Sequence, residues 1–361
     1  MKFGLMYEIP VPRPWHERSA YEAFQNTIEQ IVLADQLGFH SVWTVEHHFL
    51  DEYSFSSAPG VFYGALAAKT KNIRIGHGVR LLPFPYNHPV RAAEAAATVD
   101  ILSNGRLEFG TGRSGTRVEL EGFGIDPNDT RPMWEEALEV VVGSWTEETF
   151  SYEGKYFTLP PRGVVPKPLQ QPHPPLWGAS SSSDSHELIG LKGLGLLSFS
   201  VAAPPESLVK RFTRYRNAIK QAKPVGKYIN EQIATFTQVF CAETTAEAHA
   251  IAGPRFAWYV QESLKKIAEL GDWKDGTQLG SYEYAKKLLG GLDIESLTFE
   301  YLLDNEAVVV GDPQQCIEMA RRYEAVGTDL LLCLVQPYDI PHDKVMKSIE
   351  LLGKYVLPAF A

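Results

Sequence analysis

The chain has 361 residues, 44% of them hydrophobic and 22% charged, the balance of an ordinary folded protein with enough core to be stable and not of a disordered one. A formal net charge of −10 and a pI near 5.5 disfavour a nucleic-acid backbone or an anionic membrane as the main partner. No run approaches the roughly 18 apolar residues of a membrane span, and the apolar opening before the first prolines is too short for a secretory core, so a cytoplasmic protein is expected.

Residues 2–7 read as a short apolar strand. Residues 21–37 follow with helical spacing, Phe24, Ile28, Ile31, Ala34 and Leu37 sharing a face, and Gly38 supplies the stop. A second strand spans 41–45, a helix 58–69, and a third strand 73–82. An Ala-rich helix over 88–102 closes at Ser103-Asn104-Gly105, before a strand at 107–111 and a helix at 130–145. The rhythm breaks at about 149–175, where residues 151–157 read as a tight hairpin and a Pro-rich connection follows. It resumes with a strand at 175–178, a helix from about Asp184, a strand at 196–199, a helix at 206–222 and a strand at 233–241. A last unit pairs a helix at 313–325 with a strand at 329–335 and a helix at 343–356.

Eight strands alternating with helices predict right-handed crossovers and a parallel sheet. They fit an α/β fold of the (β/α)8 TIM-barrel class with insertions, one domain over residues 1–361, better than an open sheet. No G-x-G-x-x-G follows the first strand to favour the open form. The long connection at about 271–305 is either a lid over the barrel mouth or an ornament. Cys241, Cys316 and Cys333 are far apart in apolar surroundings, offer neither zinc spacing nor a disulfide framework, and read as small buried hydrophobes in a reducing compartment.

In a parallel barrel, ligands meet the chain at the carboxyl ends of the strands. The second strand ends in Glu46-His47-His48, a carboxylate and two imidazoles suited to acid/base work, hydrogen bonding or metal ligation. Neighbours along a strand point to opposite faces, so at most one imidazole faces the axis. The spacing lacks the helical pairing of a zinc site, and no metal is expected. The third strand ends near Gly76-His77-Gly78-Val79-Arg80, whose glycines either relieve crowding or let a flat ligand lie against bare backbone. The fourth ends in Gly110-Thr111-Gly112-Arg113-Ser114-Gly115, a Gly-rich turn holding a cation. The fifth runs through Ser180, Ser181, Ser182 and Ser183 into a helix, whose N–H groups, dipole and hydroxyls make a phosphate site. The competing reading is a plain cap, with Asp184 and Glu187 in reciprocal contact. Arg113 favours phosphate, because a fork of donors suits its oxygens, and Arg131 is within reach at the start of the next helix.

Met1-Lys2-Phe3-Gly4 and Gly38-Phe39-His40-Ser41-Val42-Trp43 with Glu46-His47-His48-Phe49 open a series that runs along nearly the whole chain. It continues through Leu82-Pro83, His88-Pro89-Val90-Arg91, Leu102-Ser103-Asn104-Gly105-Arg106-Leu107 with Phe109-Gly110, the serines from Ser180, and Gly311-Asp312-Pro313 before Cys316. In this order the chain resembles the bacterial luciferase-like, flavin-dependent monooxygenases. The E-H-H-F, H-P-V-R and S-x-G-R patterns are specific as a set and weak singly.

The resemblance implies a barrel that binds reduced FMN at its C-terminal rim and uses O2 to oxygenate a small organic substrate through a C4a-(hydro)peroxyflavin. The FMNH2 would come from a separate NAD(P)H-dependent flavin reductase, and the chain would form a homodimer through its first helices. Carried over by position, His47 is the catalytic histidine beside the flavin, supporting the intermediate as acid, base and hydrogen-bond partner. Glu46 either orients it or faces into the structure. Gly78 and Val79 match a cis peptide under the isoalloxazine ring. Arg113, Arg131, Ser180 and Ser183 match phosphate contacts, Ser181 lies in the same turn, and Glu94 matches a polar position near the ring.

Trp15, Phe55, Phe84 and Tyr86, near the expected mouth, favour an apolar substrate. The light-emitting enzymes carry a reactive cysteine where this chain has Gly112, and the loop from Pro10 to His16 is longer and Pro-stiffened. Bioluminescence and aldehyde specificity therefore do not carry over. Two alternatives share the barrel: a deazaflavin (F420)-dependent oxidoreductase moving hydride without O2, and a non-catalytic FMN-binding protein.

Overall fold

The computed structural model describes residues 1–180, 183–273, 279–289 and 293–361, excepting the side chains of 183 and 287–289. Eight parallel strands close on themselves: β1 (Lys2–Tyr7), β2 (Ser41–Thr44), β3 (Arg74–His77), β4 (Leu107–Gly112), β5 (Leu176–Ala179), β6 (Gly195–Phe199), β7 (Ile233–Cys241) and β8 (Leu330–Leu334). Each pairs with its successor, and β8 returns to β1, with Leu5 opposite both Cys333 and Val42. This is the expected TIM barrel.

The strands read as almost continuous apolar runs because both of their faces are covered. Phe3, Leu5, Val42, Ile75 and Phe109 pack outward on the helix layer, while Met6, Trp43, Trp177, Leu197 and Leu332 fill the barrel. Trp43 and Trp177 meet edge to face at 5.5 Å across the interior. A Cβ on Gly76 would stand 2.3 Å from the Trp43 ring, so that glycine relieves crowding.

The third strand is not the single element read from residues 73–82. It stops at His77, the Gly78–Val79 peptide is cis, and Arg80–Leu81 then pairs with Thr111 and Gly112 of β4. Apolar alternation continues through the break and cannot reveal it. The hairpin is longer than its reading, Phe150–Glu153 against Thr158–Arg162. A 27-residue helix, Thr245–Gly271, follows β7 where none was read, because Pro254 and Gly253 inside it imitate a break.

Of the 271–305 connection, residues 274–278 and 290–292 lie outside the described residues. Leu279, Tyr282 and Ala285 pack on Leu120, Ile125 and Leu270, and Tyr282 also lines the cavity at the C-terminal rim. Among the described residues, no helix is long and apolar enough to cross a membrane.

Candidate active site at the barrel mouth

A cavity of about 290 Å³ opens at the C-terminal ends of the strands, lined from Glu8 after β1 through Leu332 of β8. A larger open depression of about 900 Å³ lies at the opposite end, against Lys2, Asn230 and Asp329. It sits at the N-terminal ends of the strands, the face that serves stability in barrels, and the imidazole cluster lies at the other end.

His47 lines the cavity, and its imidazole stands between two carboxylates. Nδ1 lies 3.0 Å from Glu119 Oε1, and Nε2 lies 3.7 Å from Glu8 Oε2. Burial alone would push the imidazole down. Glu119, with Glu8 and Glu46 behind it, outweighs that and lifts it to about 9, so the ring is a cation at neutral pH. Glu119 is itself fully buried. It accepts from the backbone N–H of His48 and from the hydroxyls of Ser114 and Thr116. Burial works against its ionised form too, but His47 and these donors hold it below the usual carboxylate range. His48 turns away, stacking on Tyr86 and packing against Phe123. Only one of the tandem imidazoles faces the barrel axis.

Glu46 lines the cavity but makes no hydrogen bond to His47. Its carboxylate accepts from the backbone N–H of Leu81 at 2.8 Å, from Asn87 at 3.0 Å and from Arg80 at 3.3 Å. It fastens the segment that follows the cis peptide, and Glu119 takes the orienting role. Gly78 and Val79 form part of the cavity floor, and a Cβ on Gly112 would meet Val79 at 2.4 Å. Any side chain at position 112, a cysteine included, would displace that floor.

At the far end, Arg113 donates to Thr130 at 3.1 Å and to Ser281 at 2.7 Å, and its guanidinium covers the Tyr282 ring. Arg131 brings a second guanidinium close by, its buried Nε without an acceptor among the described residues. Burial and Arg113 both push Arg131 below the usual arginine range. Among the described residues, neither arginine forms an ion pair with a carboxylate. The helix Ser183–Leu191 starts here. Asp184 and Glu187 both pair with Arg214, at 2.9 and 2.7 Å, and neither forms an ion pair with Arg113 or Arg131. Ser180 lines the cavity with its hydroxyl 2.8 Å from His186 Nδ1; Ser181 and the Ser183 side chain lie outside the described residues.

Glu94 does not join the cavity. Its helix buries the face carrying Ala92, Ala93, Ala96 and Ala97, and Glu94 lies beside that face with Arg91 at 3.7 Å. The aromatics expected at the mouth also pack elsewhere: Trp15 on Phe55, Phe84 on His88, and Tyr86 on Phe123. The apolar wall comes instead from Leu50, Val201, Phe236, Leu264 and Ile267.

Three functional residues were not read from the sequence. Glu8 directly follows the first strand, where the strand-end rule applied to Glu46 would also have selected it. Glu119 sits on a six-residue helix, Arg117–Gly122, too short for a periodic signal. Tyr259, whose hydroxyl donates to Glu8 at 2.9 Å, rides on the unread long helix.

The chain matches the luciferase-like monooxygenase family over residues 1–330. It is 26% identical over 369 residues to the oxygenase component of the flavin-dependent trigonelline monooxygenase of Acinetobacter baylyi, covering 100% of this chain and 96% of that protein. It superposes with a TM-score of 0.80 on the monooxygenase RslO1 from Streptomyces bottropensis, at 26% identity and with 100% of both chains covered. The FMN-bound oxygenating constituent of 3,6-diketocamphane monooxygenase from Pseudomonas putida is 24% identical. It has a TM-score of 0.77 over 99% of this chain and 98% of its own, a likeness of fold.

Proposed function

The chain belongs to the luciferase-like monooxygenase family, and within it we propose the oxygenase component of a two-component system. It takes reduced FMN from a separate NAD(P)H-dependent reductase and uses O2 to oxygenate a small, largely apolar organic molecule. The observation that carries this reading is the polarity of one cavity. Arg113 lines it with a second guanidinium, Arg131, close by, neither of them in an ion pair among the described residues, and an imidazolium fixed by Glu119 lines the same cavity with Gly78 and Val79.

The residues fit a flavin phosphate and ring. The buried Nε of Arg131, next to Arg113 and without an acceptor among the described residues, asks for an anion acceptor. Arg113, Arg131, Ser180 and the N–H groups opening the helix Ser183–Leu191 would hold the phosphate, and Gly78 and Val79 would carry the ring. When bound, reduced FMN supplies the two electrons that activate O2.

The chain's own residues do the rest. Glu119 keeps the Nδ1 proton of His47 in place, which leaves Nε2 to stabilise developing negative charge and to pass a proton. Tyr282, tied to the Ser114 carbonyl at 3.0 Å, and the apolar wall limit the access of water. The trigonelline relative, an oxygenase component, is consistent with a reductase partner.

Equilibrium titration with FMNH2 under anaerobic conditions and with F420 tests the cofactor. FMNH2 is expected to bind more tightly, and His47→Ala to leave that binding largely intact. Tight F420 binding with none of FMNH2 would overturn the proposal.

A further inference from the structure

Besides its charge beside His47, the cavity carboxylate Glu8 has been given no role of its own. Glu8 follows directly on β1, is 4% exposed and lines the cavity. Its Oε1 accepts from the Tyr259 hydroxyl at 2.9 Å, while its buried Oε2 has no hydrogen-bond partner among the described residues. The nearest cation, His47 Nε2, is 3.7 Å away, beyond hydrogen-bond reach, and that ring is already bound to Glu119 through Nδ1.

A count of the charges facing Glu8 leaves one negative charge over. From the segment after β2 come Glu46, matched by Arg80, and His47, matched by Glu119 of the short helix. From the helix Thr245–Gly271 comes Lys266, which lies 3.7 Å from Glu262 and over the Tyr53 ring. Tyr259 and Tyr53 are neutral, the Tyr53 hydroxyl bonding Ser263 at 2.8 Å. Arg113 is at the far end with Thr130 and Ser281. A carboxylate stripped of water and without its own cation is costly. Burial pushes the Glu8 carboxyl above its usual range, against the downward pull of His47 and Tyr259, and a further cation beside it would favour the ionised form.

The carboxylate is also firmly aimed. Ser54 Oγ donates to the Glu8 carbonyl at 2.7 Å and the Phe55 N–H to the Ile9 carbonyl at 3.0 Å, while Ile9 itself adopts φ of +56°. Around it stand Leu50, Phe236, Leu264 and Leu332, which ask for hydrocarbon.

We propose that Glu8 is the substrate-recognition carboxylate of this site, and that the substrate is an otherwise apolar molecule anchored there by a cationic nitrogen. The inference rests on the oxygenase reading in placing the substrate in this cavity. The cation supplies the charge partner that Glu8 lacks, and the cavity becomes bipolar, phosphate-binding at the arginines and cation-binding at Glu8.

The test uses the full chain without flavin and a matched pair of probes, benzylammonium and benzyl alcohol, followed by calorimetry at neutral pH. Benzylammonium is expected to bind about tenfold or more tightly than the alcohol. Glu8→Gln is expected to bring the two within about twofold. Equal binding in the native protein, no benzylammonium binding at millimolar concentration, or a preference that survives the substitution overturns the proposal. If the variant does not fold, a pH series on the native protein decides. Benzylammonium affinity must fall on acidification as Glu8 takes up its proton, while that of the alcohol stays flat; two flat profiles overturn the proposal. Because no flavin is present, failure here is distinct from failure of the FMNH2 titration.

Discussion

Replacing Glu119 with Gln probes the electrostatics on which the site depends. The ordinary imidazole value of 6.5 is raised to about 9 in His47, against the downward push of burial, chiefly by Glu119. At roughly 1.4 kcal/mol per unit that displacement corresponds to about 3 kcal/mol, which we reduce to about 2 kcal/mol because the ring is partly open to screening. A raised value means that the stabilisation is complete below 6.5 and is lost as pH climbs through about 9. Glu119, held below its ordinary 4.5 by His47 despite burial, loses the same interaction as pH falls beneath that value. The pair therefore contributes most between these limits, and its energy is counted once.

In Glu119→Gln the His47 ring is expected to titrate at or below 6.5 instead of near 9. The variant should be about 2 kcal/mol less stable near pH 6, with that difference disappearing in strongly alkaline solution. A smaller loss, from Ser114 and Thr116 facing an amide, adds at every pH. The assay is NMR titration of the imidazole carbon-bound protons, assigned with His47→Gln, beside urea unfolding at the two pH values. A native His47 titrating near its ordinary value, or one unmoved by the substitution, would refute the reasoning.

Arg131→Gln should weaken FMN binding about 10- to 100-fold while leaving riboflavin binding nearly unchanged, measured by flavin fluorescence. An equal loss for both ligands would move the phosphate elsewhere. Gly110→Ala places a Cβ 1.9 Å from the His77 carbonyl oxygen, next to the Gly78 peptide, and should cost on the order of 3 kcal/mol or prevent folding. Gly60→Ala, with nothing within 4 Å, is the control and should unfold at or slightly above the native temperature.

The barrel was legible because strands covered on both faces and helices with one apolar face carry their periodicity openly. The rim was legible wherever polar residues cluster at a strand end, as in Glu46-His47-His48 and the turn holding Arg113. What escaped depends on distance in space. Glu119 reaches His47 from 72 residues away, and Tyr259 reaches Glu8 from 251 residues away, neither with a local pattern. Between the two readings of Glu46 the sequence could not choose, because a carboxylate beside an imidazole in sequence need not bond it; here Arg80, Asn87 and the Leu81 N–H engage it. Glu94 lies outside the cavity lining for a rotational reason, since one step around an Ala-faced helix turns its side chain toward Arg91.

Rapid mixing of the anaerobic protein, loaded with FMNH2, against oxygenated buffer tests oxygen activation most directly, with absorbance followed through time. The expected record is a near-ultraviolet transient that delays the return of oxidised flavin and is shortened in His47→Ala. Reoxidation of bound FMNH2 as fast as in free solution, with no transient and no effect of His47→Ala, would contradict a monooxygenase built around His47.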